Sequence, residues 1–224
     1  MSNFHEDGII ILDFGSQYTQ LIARRIREKH VYSEIMSPDV SIEVIQERSP
    51  KAIILSGGPS SVYEDSSPKY DSKLFAMDIP ILGICYGLQL MAHHYNGQVE
   101  SSSHGEYGFA LINIMNSEHL FQSVSGNTQV WMSHMDRVTQ MPPGWEVMAE
   151  SSNGVVAAMG HVESKRFATQ FHPEVNHTVE GETILNNFLF KIAGCSPDWT
   201  AGKFINEHVE KIREITAGKR VLVG

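Results

Sequence analysis

Apolar residues along this chain follow two rhythms. Between Gly8 and Asn96, short continuous apolar runs alternate with stretches whose apolar positions recur every three or four residues. The runs Gly8 to Phe14, Lys51 to Ser56 and Ile79 to Ile84 have the length of strands. Ser16 to His30 places Tyr18, Leu21, Ile22 and Ile26 on one helical face, with Ser16 as the expected cap; Ile42 to Arg48 and Tyr86 to Asn96 read as further helices. Strands separated by helices predict parallel pairing. From about Tyr107 to Gln170 the strand candidates crowd together: Tyr107 to Met115, Gln129 to Ser133, Trp145 to Glu150, Val155 to His161 and Phe167 to Phe171. That spacing predicts mixed or antiparallel sheet. Two helices, Gly181 to Ala193 and Lys203 to Thr216, and a last apolar run, Lys219 to Gly224, follow. The expected fold class is α/β: a central, mostly parallel mixed sheet flanked by helices, with a smaller antiparallel section. Residues 1–200 form the expected domain, and 201–224 an appended helix and strand.

Composition narrows the function. With 42% hydrophobic residues in 224, the chain buries a sizeable core without disulfides or metals. A formal charge of -9 repels a phosphate backbone, so no nucleic-acid partner is expected. The amino terminus, Met1 to Gly8, is polar and acidic, unlike a secretory signal, and no apolar run approaches the roughly 18 residues of a membrane-spanning helix. Cys85 and Cys195 are the only cysteines, too few for a disulfide framework. A cytoplasmic location is the natural expectation.

The candidate chemistry centres on Cys85. In Ile81-Leu-Gly-Ile-Cys85-Tyr-Gly87-Leu-Gln89 a cysteine stands where an apolar strand gives way to a helix, with Gly83 and Gly87 two residues away on each side. Such a turn lifts a nucleophile above a sheet, and small neighbours keep the turn free of clashes. A helix amino terminus favours a thiolate, but only modestly. An ordinary thiol is about 3% ionised at pH 7, and a dipole contribution of about 1 kcal/mol raises that to about 15%. A histidine partner is therefore expected. Gln170-Phe-His172-Pro-Glu174 supplies one: residues two apart in an extended segment share a side, and Pro173 holds His172 extended, so Glu174 is placed to orient the imidazole. Ser56-Gly57-Gly58-Pro59, at the end of another apolar run, offers main-chain N–H groups; Gly58 and Tyr86 are the expected oxyanion donors. Cys195 reads as structural. Arg24, Arg25 and Arg27 form a basic face on the first helix, read as solvated, with contact to a partner domain as the alternative. His93 and His94 lack the spacing of a helical metal pair, and no metal site is expected.

Taken in this order, Ser56-Gly-Gly-Pro59, Gly83-Ile-Cys-Tyr-Gly-Leu-Gln89 and His172-Pro-Glu174 resemble the class I glutamine amidotransferases. Within that family, Ile11 to Arg25 and Val130-Trp-Met-Ser-His-Met-Asp-Arg-Val138 are similar to the GMP synthase group. The resemblance implies a Cys85, His172 and Glu174 triad that hydrolyses glutamine to glutamate and ammonia, with Gly58 and Tyr86 as the oxyanion hole. It implies a glutamine pocket bordered by Gly57, Gln89, Ser133, His134 and Asp136. It also implies an ATP pyrophosphatase domain as partner, using ATP and Mg to aminate XMP and pairing into a homodimer, with no cofactor in the present chain. In that group the run Lys219 to Gly224 leads into the synthetase's phosphate-binding loop. Two positions depart from the family pattern: Met135 stands where glycine is usual, so that a side chain is expected to intrude on the pocket, and Gly105 where arginine is common.

Overall fold

A computed structural model describes residues 7–218. Among the described residues nine strands form one sheet, in the order β2-β1-β3-β4-β9-β8-β7-β5-β6. Strands β1 (Ile9–Leu12), β2 (Ser33–Met36), β3 (Ala52–Leu55), β4 (Ile81–Ile84) and β9 (Arg166–Thr169) pair in parallel. Strands β5 (Gln98–Ile114), β6 (Asn127–Gln140), β7 (Glu146–Ser151) and β8 (Val156–His161) continue the sheet antiparallel from β9. The mixed sheet is the one expected, and its antiparallel section is continuous with the parallel one.

The parallel strands read as unbroken apolar runs because both of their faces are covered. Ile9 and Ile11 of β1 join one apolar layer and Ile10 and Leu12 the other. Helices α1 (Thr19–Glu28), α2 (Ile42–Arg48), α3 (Tyr86–His94), α4 (Gly181–Asn186) and α5 (Ala201–Thr216) accompany the sheet, and α4 runs on into a π-helical turn at Asn187–Ile192. Among the described residues no helix is long and apolar enough to cross a membrane.

Two local expectations change, and a third is not tested. The first helix begins at Thr19 with Tyr18 at its cap; Ser16 instead accepts the Tyr18 amide through its hydroxyl at 3.1 Å, bracing the preceding turn. Strands β5 and β6 run far beyond the apolar cores predicted for them, forming a long ribbon. The run Lys219 to Gly224 lies outside the described residues.

The ribbon curls back on the parallel half. Although β6 is the last strand in sheet order, the Trp131 carbonyl on it accepts the His172 amide at 3.1 Å, and the Gln129 carbonyl accepts the Val179 amide at 3.0 Å. The segment just beyond β9 is thus clamped between the two halves of the sheet. Residues following the carboxyl ends of β1, β3, β4 and β9 gather at one place, where open α/β sheets bind ligands.

Candidate active site

Cys85 is the hinge between β4 and α3. Its backbone sits at φ 54°, ψ -104°, a conformation that costs a non-glycine residue energy and persists only where the surroundings enforce it. The surroundings do so at close range. A methyl group added at Gly83 would lie 2.6 Å from the Gly87 carbonyl, and one at Gly87 would lie 2.6 Å from the Leu55 carbonyl, so both glycines are required by backbone contact. The Cys85 amide donates to the Thr169 carbonyl at 2.7 Å, locking the turn to β9. The side chain is buried among cavity-lining residues, its thiol 3.6 Å from the Ser133 carbonyl.

His172 is held on every side. Its amide is fixed to Trp131, its carbonyl accepts the Thr178 hydroxyl at 2.6 Å, and its ring stands edge-on to Tyr18 with centroids 4.9 Å apart. Nδ1 lies 2.7 Å from Oε1 of Glu174, and both side chains are buried. Burial pushes the imidazole toward its neutral form, but the Glu174 carboxylate and the Cys85 sulfur outweigh it and lift the pKa to about 10. At neutral pH this ring is an imidazolium.

These groups open onto a cavity of about 690 Å³ lined by Gly58, Cys85, Gln89, Ser133, His134, Met135, Asp136 and His172. Of the site residues predicted from the sequence, Gly58, Cys85, Gln89, Ser133, His134, Asp136 and His172 line this cavity; Gly57, Tyr86 and Glu174 do not line it. Gly57 is wedged beside the nucleophile: a Cβ there would lie 3.3 Å from His172 Cε1 and 3.5 Å from Cys85 Cβ. Tyr86 is the first residue of α3, where main-chain N–H groups lack helical partners, while its ring packs away from the cavity against Phe14 at 5.3 Å. Gln89 is buried and donates to the Asp136 carbonyl at 3.0 Å. His134 is tied on both ring nitrogens, 2.9 Å from the Asp136 carbonyl and 3.3 Å from a Glu106 carboxylate oxygen. Burial holds its pKa below the usual imidazole value.

Several contributors lay outside the sequence reading. Glu106 also accepts from Ser151 at 2.8 Å and from Asn153 at 2.7 Å, joining β5 to the turn after β7. Arg25 does not serve as a solvated charge: its Nε donates to the Glu174 carbonyl at 3.0 Å. Arg27 donates to the Ser33 carbonyl at 2.7 Å while remaining exposed, and Arg24, also exposed, pairs with Glu28, so the solvated reading holds for these two. Tyr18 walls the imidazole, and Gln170 reaches the sulfur. Of these, only Gln170 carried a sequence signal, its position two residues before His172 on an extended segment. Cys195 is buried, and burial followed by the charge of Asp7 pushes its thiol up to about 12, the condition of an inert thiol.

Comparison with known proteins places this geometry in context. The family model for the glutamine amidotransferase class-I domain matches residues 10–192. A glutamine-hydrolysing GMP synthase of Brachyspira hyodysenteriae is 50% identical over 97% of this chain, and one of Geobacillus kaustophilus is 49% identical over 97%. The chain spans 42% and 43% of the length of these two relatives. Among solved structures, one described as a GMP synthase subunit from Thermoplasma acidophilum matches with a TM-score of 0.76 and 30% identity, covering 92% of this chain and 98% of that one. A glutamine amidotransferase from Thermotoga maritima shares the fold at a TM-score of 0.62 and 19% identity, over 94% of this chain and 93% of its own.

Proposed function

The chain belongs to the class-I glutamine amidotransferases, and from that premise we propose that it hydrolyses the side-chain amide of glutamine as the ammonia-producing part of a GMP synthase. The observation that carries the reading is a cysteine on a strained strand-to-helix turn, beside an imidazole paired with a buried carboxylate.

In this reading the Cys85 thiolate attacks the amide carbon of glutamine. The carbonyl oxygen becomes an oxyanion between the N–H groups of Gly58 and Tyr86. His172, an imidazolium at neutral pH, gives its proton to the amide nitrogen, and ammonia leaves as the thioester forms. The ring is then neutral. It removes a proton from water, which attacks the thioester; glutamate departs and the thiolate and imidazolium are restored. Glu174 orients the ring and stabilises its charge throughout. Gly57, Gln89, Ser133, His134 and Asp136 border the glutamine, and their main-chain and amide groups suit its amino and carboxylate ends.

Ammonia passes to an ATP pyrophosphatase domain that aminates XMP with ATP and Mg. Support for this comes from relatives that are more than twice as long as the chain and are named for the synthase reaction. A free nucleophilic thiol fits the reducing cytoplasm. Residues 1–200 carry the amidotransferase in this reading.

The test is glutamine hydrolysis by wild type and Cys85→Ala, together with labelling by a glutamine-mimicking electrophile and mass spectrometry. Labelling at Cys85 with activity abolished in the variant is expected. Glutaminase activity persisting in Cys85→Ala overturns the assignment.

A further inference from the structure

Cys85 has a neighbour that the mechanism leaves unused. Gln170, fully buried, directly follows β9, and its Nε2 stands 3.7 Å from Cys85 Sγ. On its other side, Gln170 Oε1 is 3.4 Å from Nε2 of Gln89, and the same Gln89 nitrogen is 3.0 Å from the Asp136 carbonyl. Amide side chains are ambiguous in isolation, since oxygen and nitrogen have the same shape. This pair is not ambiguous. A main-chain carbonyl only accepts, so Gln89 must turn its NH2 group toward Asp136. The second hydrogen of that NH2 group points at Gln170, which must answer with its oxygen. Gln170 is then left with its NH2 group facing the sulfur. The direction of the chain is set at the backbone and delivered to the nucleophile.

We propose that Gln89 and Gln170 form a one-way hydrogen-bond relay that donates to the Cys85 sulfur, making Gln170 a catalytic residue of the glutamine site and Gln89 its positioning residue. A donor aimed at sulfur favours the thiolate over the thiol, because a thiolate accepts strongly and a thiol weakly. The relay approaches from β9, apart from the imidazole, and supplies what a helix terminus alone lacks. It also gives Gln89 a task beyond bordering glutamine. Its amide oxygen remains to meet the substrate, so one side chain touches both the proposed pocket and, through Gln170, the nucleophile. The inference rests on the glutaminase reading for its biological meaning, while its geometry stands independently.

The experiment is alkylation of Cys85 by iodoacetamide in the 224-residue chain, followed by mass spectrometry for wild type, Gln170→Leu and Gln89→Leu. Leucine keeps much of the volume and removes the donor. Alkylation of Gln170→Leu is expected to be about tenfold slower than wild type at pH 7, with the difference vanishing near pH 10, where an ordinary thiol is ionised without help. Gln89→Leu, which frees Gln170 to turn over, is expected to slow the reaction by a smaller factor with the same convergence. Gln89→Leu also serves should Gln170→Leu fail to fold. A packing role alone would lower the melting temperature and leave the pH dependence of alkylation unchanged. Rates equal to wild type at pH 7 in a folded variant overturn the relay and leave the glutaminase reading standing. Slowed alkylation in a wild-type background that hydrolyses no glutamine would sink that reading and keep the relay.

Discussion

Oε1 of Glu174 lies 2.7 Å from Nδ1 of His172, with Pro173 the single residue between them. The pair is therefore built by local sequence, with Thr178 a turn further on holding the His172 carbonyl, yet distant chain also orients it: Trp131 fixes the His172 amide and Arg25 the Glu174 carbonyl. Replacing the carboxylate by an amide keeps the shape and removes the charge that lifts the imidazole to about 10. In Glu174→Gln we expect glutamine hydrolysis to fall by about 10²- to 10⁴-fold in kcat/KM, with the alkaline limb of its pH profile moving to lower pH. Steady-state assays across pH check both. An unmoved alkaline limb would show that the carboxylate does not set the imidazole's charge.

The same raised pKa makes stability depend on pH in a defined direction. A histidine whose folded pKa is above its unfolded value of about 6.5 stabilises the fold fully below that value, and the contribution is lost as pH rises through about 10. His134 is shifted the other way by burial, so it costs stability as pH falls below about 6.5. Melting temperatures of wild type should decline between about pH 7 and 10 more steeply than those of His172→Gln. Parallel curves would remove His172 as the source.

Much of this site is legible in the sequence. The elbow announced itself because a strand, a helix and two glycines around one cysteine are all local features, and His-Pro-Glu is local too. The sheet's parallel half was legible because strands with both faces covered are written as apolar runs. What the sequence hid depends on long-range register. Strand β2, Ser-Glu-Ile-Met, is half polar because it is the edge strand of the parallel half of the sheet. Glu106 meets His134 only because β5 and β6 shift register between Ser101 and Glu106, a bulge that no apolar pattern encodes. Arg25 looked like a surface charge because its acceptor is a main-chain carbonyl 149 residues away.

Adjacent glycines should fail for different reasons. A Cβ at Gly58 would stand 2.5 Å from the Phe14 carbonyl, so Gly58→Ala must move backbone and is expected to cost about 1–3 kcal/mol of stability. At Gly57 the nearest atoms are side chains, His172 Cε1 and Ser16 Oγ at 3.3 Å and Cys85 Cβ at 3.5 Å. Gly57→Ala should fold with a melting temperature near wild type while losing activity, since the methyl group sits between nucleophile and imidazole. Denaturant melts paired with glutaminase assays separate the two, and a Gly57→Ala enzyme of full activity would contradict the assignment.

Met135 and Gly105, the two positions singled out in the sequence, lie close enough that a side chain at one would meet the other. A Cβ at Gly105 would lie 2.5 Å from the His134 carbonyl and 2.7 Å from both Met135 Sδ and Tyr107 Cε2. Met135 lines the cavity with 44% of its surface exposed, so it flanks the pocket without sealing it. Met135→Gly should then lower KM for glutamine several-fold with kcat little changed, because the side chain obstructs binding and touches no reacting group. Gly105→Ala should raise KM by displacing the strand that carries His134. Combining the two relieves only the sulfur contact, since the His134 carbonyl is backbone and Tyr107 remains in place. The double variant should therefore keep most of the Gly105→Ala defect. Full recovery in the double variant would mean that Met135 alone, and not the main chain at His134, is what excludes a side chain from position 105.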